Sequence, residues 1–288
     1  MQHLNTQTAD DGSLKLLFEL EDGARVEGVL LPGIRARWTF CVSSQVGCGI
    51  GCTFCATGTM GLGRNLRAGE IMAQIHHGIR YLRAQNMRMS HVVFMGMGEP
   101  LQNYENVRAV IRILTDTRGP CLNSRRITLS TVGIPRQMRR FAEDFGGRVQ
   151  LALSLHAGTD ETRQRIIPLA RTHSLQALRA VCQAHPLPGS RHLMLEYVVL
   201  PGVNDTPIEL HAVAQWMKGI RGVINLVPFN PFPSAQFRSP TTEEVLSVRR
   251  QLDTLQVPAT IRWPRGRHVS AACGQLALDA SVRQVSRT

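Results

Sequence analysis

Cys48, Cys52 and Cys55 stand in the run CGIGCTFC, spaced C-x3-C-x2-C. Thiolates at this spacing can each take one iron of a four-iron cluster, which leaves the fourth iron without a protein ligand and open to a small molecule. A tetrahedral zinc site asks for four ligands, commonly in two pairs, and an electron-transfer cluster for a fourth thiolate nearby. Neither pattern is completed locally, so an Fe-S site is the reading adopted, with a zinc or structural-thiol site as the alternative. Gly49 and Gly51 let the loop wrap tightly, with its N–H groups turned toward the sulfides.

Two further thiols have unusual surroundings. Cys41 lies in CVSSQVGC, seven residues before Cys48, and Cys273 lies far along the chain in RGRHVSAACGQL. Ala271, Ala272 and Gly274 have almost no side chain, so a substrate could approach a thiol at Cys273 closely. A cluster with two separate thiols can run covalent catalysis, one sulfur carrying a group and the other resolving it by disulfide formation. Cys121 and Cys182 have no special context and are read as small buried hydrophobes. In MGMGEPL (95–101), glycines would let the backbone approach a ligand while Glu99 accepts from an amine; an ordinary Gly-rich turn is the alternative.

These groups need a scaffold, and the chain has one rhythm. After a short polar stretch, LKLLFELEDGARVEGVLLP alternates apolar residues about Asp22-Gly23, a hairpin pattern. Strand candidates RWTFCVS, HVVFMG, RRITLST, VQLALSL, LMLEYVVL and VINLVPF follow, separated by helical-period stretches at 69–86, 104–117, 135–144, 174–184 and 207–218. Alternation of this kind predicts an α/β fold with a parallel sheet and right-handed crossovers, and six units predict an open, partial (β/α)6 barrel with a short N-terminal β-hairpin extension. The expected division is 1–34 for that extension, 35–265 for the barrel and 266–288 for a C-terminal segment carrying Cys273. No linker, low-complexity stretch or sequence repeat interrupts it.

In parallel βα architectures reactive groups gather where strands end. The cluster loop follows the first barrel strand and MGMGEPL the second; Ser130 and Thr131 end the third, Ser154, Leu155 and His156 the fourth. Glu196 lies within the fifth, and Asn230 with Pro231 follows the sixth. Each polar residue alone could equally be a cap; their convergence on one rim is the argument for a pocket.

The chain has 288 residues, 43% of them hydrophobic, enough for one large domain. Seven cysteines are an odd number and no charged-then-apolar leader opens the sequence, so a secreted disulfide framework is not expected and a reducing cytoplasm is. No apolar run has the length of a membrane span. A net charge of +12 points to a polyanion such as RNA, although only Lys15 and Lys218 are lysines and composition bias toward arginine is the alternative.

The run CGIGCTFC resembles the signature of radical S-adenosylmethionine (SAM) enzymes, in which SAM occupies the open iron and is cleaved to a 5'-deoxyadenosyl radical. Taken in order, CVSSQVGC, the cysteine triad, MGMGEPL, LSTVGI, LSLHA, NPF and RGRHVSAACGQL resemble the radical-SAM adenine methyltransferase family, which modifies C2 or C8 of an adenine in 23S ribosomal RNA. The likeness runs from about Leu14 to Leu276. It implies that Cys48, Cys52 and Cys55 hold a 4Fe-4S cluster, and that Gly98, Glu99, Ser130, Ser154, Leu155, His156 and Asn230 bind SAM. It implies two SAM per turnover: one methylates Cys273, the other yields the radical that takes hydrogen from that methyl group. The methylene radical would add to the adenine carbon, and Cys41 would attack Cys273 to release product. Carbon is targeted this way because C2 and C8 are too weakly nucleophilic to displace the SAM methyl directly.

The same likeness places a proton acceptor at Glu27, against which stands a solvent-facing hairpin carboxylate. It also implies RNA (23S rRNA, tRNA or both) as substrate, a flavodoxin or ferredoxin as electron donor, a cytoplasmic location and a monomer. Three departures stand beside it. Family members usually carry a small helical N-terminal module associated with holding RNA, whereas this sequence starts almost at the hairpin; it also stops soon after AACGQL; and His268 replaces the usual acidic residue after Arg267. A radical-SAM paralogue with another RNA substrate, or a non-catalytic Fe-S RNA-binding protein, is therefore the alternative, with Cys41 and Cys273 arguing against both.

Overall fold

The computed structural model describes residues 1–33, 36–266 and 269–276. Two compact units emerge: one takes in 1–49, 55–129 and the described part of 265–288, the other 50–54 and 130–264. Arg267 and His268, and with them the departure noted after the RGR run, lie outside the described residues.

The first unit opens with antiparallel strands β1 (Gln2–Thr8), β2 (Leu14–Glu19), β3 (Arg25–Pro32) and β4 (Arg37–Cys41) in sequential order. The expected hairpin is β2–β3, and Gly23, at φ 77°, takes the left-handed position of its turn. The N-terminal polar stretch is itself a strand, β1, pairing with β2 from Gln2↔Glu19 to Thr8↔Leu14. A second small ladder joins β5 (Gln45–Cys48) to β6 (Gly61–Asn65), bracketing the cysteine loop. Next come α1 (Ala68–Ala84), β7 (Arg88–Phe94), α2 (Tyr104–Thr115) and β8 (Ile127–Thr131), with β7 parallel to β4 and β8 parallel to β7. Ile71, Ile75 and Leu82 recur along one stripe of α1 and are fully buried, as is Phe40. Gly78 lets α1 close in: a Cβ there would lie 2.9 Å from Met89 Cε.

The second unit continues with α3 (Pro135–Phe145), β9 (Gln150–Ser154), α4 (Asp160–Ile166), α5 (Leu175–Ala184), β10 (Leu193–Val199), α6 (Pro207–Met217), β11 (Gly222–Pro228), α7 (Thr242–Thr254) and β12 (Ala259–Ile261). Strands β9, β10, β11 and β12 are parallel and adjacent in that order. Strands β4, β7, β8, β9, β10 and β11, each followed by a helix, supply the six βα repeats of the expected α/β fold. The sequence reading omitted β1, the β5–β6 ladder, α4, α7 and β12, which are short, polar or irregular in their apolar period. No helix among the described residues is long and apolar enough to cross a membrane.

Candidate active site

Cys41 ends β4 opposite Val29, and it is buried. In this antiparallel pair Glu27 sits two residues from Val29 and therefore on the same face as Cys41, while Gly28 turns toward Phe40 on the other face, where a Cβ would lie 2.9 Å from its ring. Glu27 is 2% exposed, and Lys15 Nζ stands 3.2 Å from its Oε1. The solvent-facing reading of Glu27 is thus overturned: the carboxylate is buried and ion-paired across β2 and β3.

The segment after Cys41 is clamped by buried polar side chains. Ser43 Oγ donates to Glu27 O (2.5 Å), and the Met97 N–H donates to Ser43 Oγ (2.8 Å). Gln74 accepts from Ser43 N and donates to Ser43 O, both at 3.2 Å, while Asn103 Nδ2 donates to Ser44 O (2.8 Å) and Leu66 O (2.7 Å).

The glycines of MGMGEPL serve this clamp. A Cβ on Gly96 would stand 2.7 Å from Ser43 Oγ, and one on Gly98, whose φ is +100°, 2.5 Å from Gln45 Cβ. These glycines also permit the close approach of the chain's own residues 42–45. Glu99 is buried; its N–H donates to Gln45 Oε1 (2.8 Å) and its Oε1 accepts from Leu101 N (3.0 Å), capping a short 3-10 turn at Pro100–Asn103.

Within the cysteine loop, Cys48 ends β5 and Cys55 precedes a 3-10 turn at Ala56–Met60. Burial pushes the Cys55 thiol above its ordinary value, so it stays protonated unless a cation is bound. The C-terminal segment docks beside it. Ala56 N donates to Gly274 O (2.7 Å), and Thr57 Oγ1 donates to Leu276 O. Ala271 and Ala272 are buried and Cys273 is exposed, so the thiol projects from an anchored backbone. Upstream, Gly266 N donates to Asp11 Oδ2 (2.8 Å) in the β1–β2 turn. Cys182 is buried as expected, but Cys121 is exposed, since it falls in an irregular stretch at φ 52° rather than on an apolar stripe.

In the second unit, His156 follows β9 with φ 58° and is buried. Its Nδ1 accepts from Val198 N (2.9 Å), which leaves the proton of the neutral ring on Nε2, and its ring meets Phe54 edge-on at 4.7 Å. Burial lowers its pKa to about 3. Arg163 on α4, fully buried, donates to the carbonyls of Leu155 (3.0 Å), Ser154 (3.1 Å) and Val132 (2.5 Å). That side chain fixes the Ser154–His156 segment, and sequence reading missed it because a helical arginine normally faces water. Ser130 is half-buried on β8 and Asn230 is buried just beyond β11.

Among the described residues, no three cysteine, histidine or carboxylate side chains converge tightly enough for a single metal ion. The donor set that does fit a cluster is the three thiols on a loop held at Cys48 by β5 and at Cys55 by the 3-10 turn. Gly47 (φ 73°) and Gly51 (φ 74°) provide its left-handed turns.

This fold, with three closely spaced thiols after the first barrel strand, defines a class, and residues 42–213 match the Radical SAM superfamily. That superfamily implies a 4Fe-4S cluster and SAM. A dual-specificity RNA methyltransferase RlmN of Syntrophobacter fumaroxidans is 43% identical over 276 residues, 96% of this chain and 80% of its own length. A probable dual-specificity RNA methyltransferase RlmN of Thermus thermophilus is 44% identical over 275 residues, 94% of this chain and 76% of its length. A crystal structure of a radical SAM methyltransferase from Sphaerobacter thermophilus superposes with a TM-score of 0.92 at 40% identity, covering 96% of this chain and 81% of that one. The chain belongs to the RlmN family of radical SAM RNA methyltransferases.

Proposed function

We propose that this protein methylates an adenine carbon of RNA, C2 in preference to C8, in ribosomal RNA, transfer RNA or both, through a methyl group carried on Cys273. The observation that carries the reading is the placement of Cys273: exposed, beside the half-buried Cys55, on a segment tied by Ala56 N to Gly274 O at 2.7 Å.

When bound at Cys48, Cys52 and Cys55, the cluster supplies the electron that cleaves SAM, two of which are used per turnover. Gly98, Glu99, Ser130, Ser154, Leu155, His156 and Asn230 hold SAM. Cys273 Sγ would take the methyl group from one SAM, and after hydrogen abstraction the methylene carbon, still bonded to Sγ, would bond to the adenine carbon. One electron would leave the radical adduct for the redox couple that supplied it, and the Glu27 carboxylate, paired with Lys15 at 3.2 Å, would accept the proton that leaves that carbon. The Cys41 thiolate would then attack Cys273 Sγ; the C–S bond breaks with its electron pair going to the methylene carbon, which takes a proton to become the methyl group, and a Cys41–Cys273 disulfide remains for reduction. A flavodoxin or ferredoxin supplies electrons, and the protein works as a cytoplasmic monomer. The domain division at 34/35 and 265/266 belongs to the same proposal.

Anaerobically reconstituted protein given SAM, reductant and RNA is expected to form 2-methyladenosine, read by nucleoside mass spectrometry. Equal product from Cys273→Ala would refute the covalent route.

A further inference from the structure

Of the three tryptophans, Trp38 and Trp216 are buried at 8% and 6% exposure, whereas Trp263 is 48% exposed. The buried pair have their indole N–H groups satisfied inside the fold: Trp38 Nε1 donates to Met87 Sδ (3.0 Å) and Trp216 Nε1 to Leu175 O (2.8 Å). Trp263 makes no hydrogen bond or ring contact with a described residue. The rings of the neighbouring loop differ from it. Phe232 and Phe237 pack on Phe229 at 6.3 and 5.9 Å, so their faces are used within the fold. Tryptophan is enriched where proteins meet partners, because its large face gains most from leaving water and its N–H keeps a polar handle.

The open indole stands just beyond the end of β12. The ladder carries on past Ile261, since Arg262 N donates to Leu226 O (2.8 Å). Extending the Leu226↔Ile261 register puts Trp263 level with Pro228, the last residue of β11. Asn230 follows shortly after, and Ser154 ends the parallel strand β9 at the same edge. Both belong to the expected SAM pocket, so Trp263 lies on the edge where the chemistry of this unit gathers. Pro264 confines the backbone of Trp263 to an extended shape, which fixes the point from which the ring projects. Arg262 precedes it, in a chain whose net charge is +12.

We propose that Trp263 is a stacking platform for an unpaired base of the RNA, a neighbour of the target adenine. This role rests on the RNA methyltransferase reading. An enzyme that works on a ring carbon of a base must take that base out of its stack, which deprives the next base of a stacking partner. An indole presented at the edge of the site replaces that partner, and every base has a face that suits it. The contact is apolar rather than ionic. It therefore adds a constant factor to an affinity whose salt dependence comes from arginine–phosphate contacts.

The test uses reconstituted wild type, Trp263→Phe and Trp263→Ala with a single-stranded oligoadenylate as probe, read by tryptophan emission and by filter binding across a salt series. Because Trp38 and Trp216 are buried, wild-type emission should be quenched as RNA binds, and that of Trp263→Ala should not respond. Trp263→Ala should weaken binding about fivefold or more at every salt concentration, with the slope of log affinity against log salt unchanged, and Trp263→Phe should lose less. Absence of quenching in wild type, or a Trp263→Ala affinity within about twofold of wild type, would overturn the platform. So would a shallower salt slope in Trp263→Ala, which marks an ionic contact. SAM binding by equilibrium dialysis should be the same in all three; a loss there assigns the ring to SAM and overturns the RNA contact. Quenching in a wild type that forms no methylated adenosine would sink the methyltransferase reading alone, and methylation without quenching would sink the platform alone.

Discussion

The Ala56 N–H donates to the Gly274 carbonyl at 2.7 Å, so the residue after Cys55 and the residue after Cys273 are joined main chain to main chain. The cluster ligand and the methyl carrier of the proposed reaction thus share one anchor. The Thr57 hydroxyl adds a second tie, to Leu276 O.

Thr57→Val removes that second tie and leaves a buried carbonyl without its donor. It should cost about 1–3 kcal/mol in urea denaturation and, more tellingly, slow the methylation of Cys273, read by intact-protein mass spectrometry after a single turnover with SAM. Unchanged methylation would mean that the first tie suffices.

Cys41→Ala tests the resolving thiol. With no sulfur to attack Cys273, RNA should stay bonded to the protein, visible as a slow band on a denaturing gel; free methylated product at the wild-type rate would count against the role.

Lys15→Met leaves the Glu27 carboxylate buried without the ammonium 3.2 Å away. Breaking a buried pair in this way costs roughly 3–5 kcal/mol, and methylation should slow because the proton acceptor loses the group that positions it. A single-turnover methylation rate that matches wild type would separate Lys15 from the reaction.

Burial lowers the pKa of His156 to about 3 and that of His185 to about 4. Both rings are neutral when folded and protonate near about 6.5 when unfolded, so their contribution is whole above about pH 6.5 and is lost as pH falls from there toward about 4. The melting temperature should drop across this window, and less steeply in His185→Gln. An equal slope in that variant would show that His185 does not contribute to the acid limb.

Much of this was legible in the sequence because the relevant signals are local. The β-branched runs that became β4 and β7 to β11 carry their period in five to seven residues, and the three cluster thiols are one contiguous motif. Relationships between distant segments were not legible. Nothing in Arg163 announces a buried guanidinium donating to three carbonyls, nothing in Lys15 its partnership with Glu27, and nothing in the glycines of 95–101 how closely the chain's own residues 42–45 approach them. Residue 121 misled for the opposite reason: a cysteine's average burial says little once the backbone leaves regular structure.

The guanidinium of Arg163 has a practical consequence for anyone moving parts between relatives. Because one side chain donates to carbonyls at Val132, Ser154 and Leu155, the loops after β8 and β9 are not independent modules. A chimera that imports either loop without α4 would inherit carbonyls whose donor stands in the wrong place, so the smallest transplantable piece runs from 132 to 166.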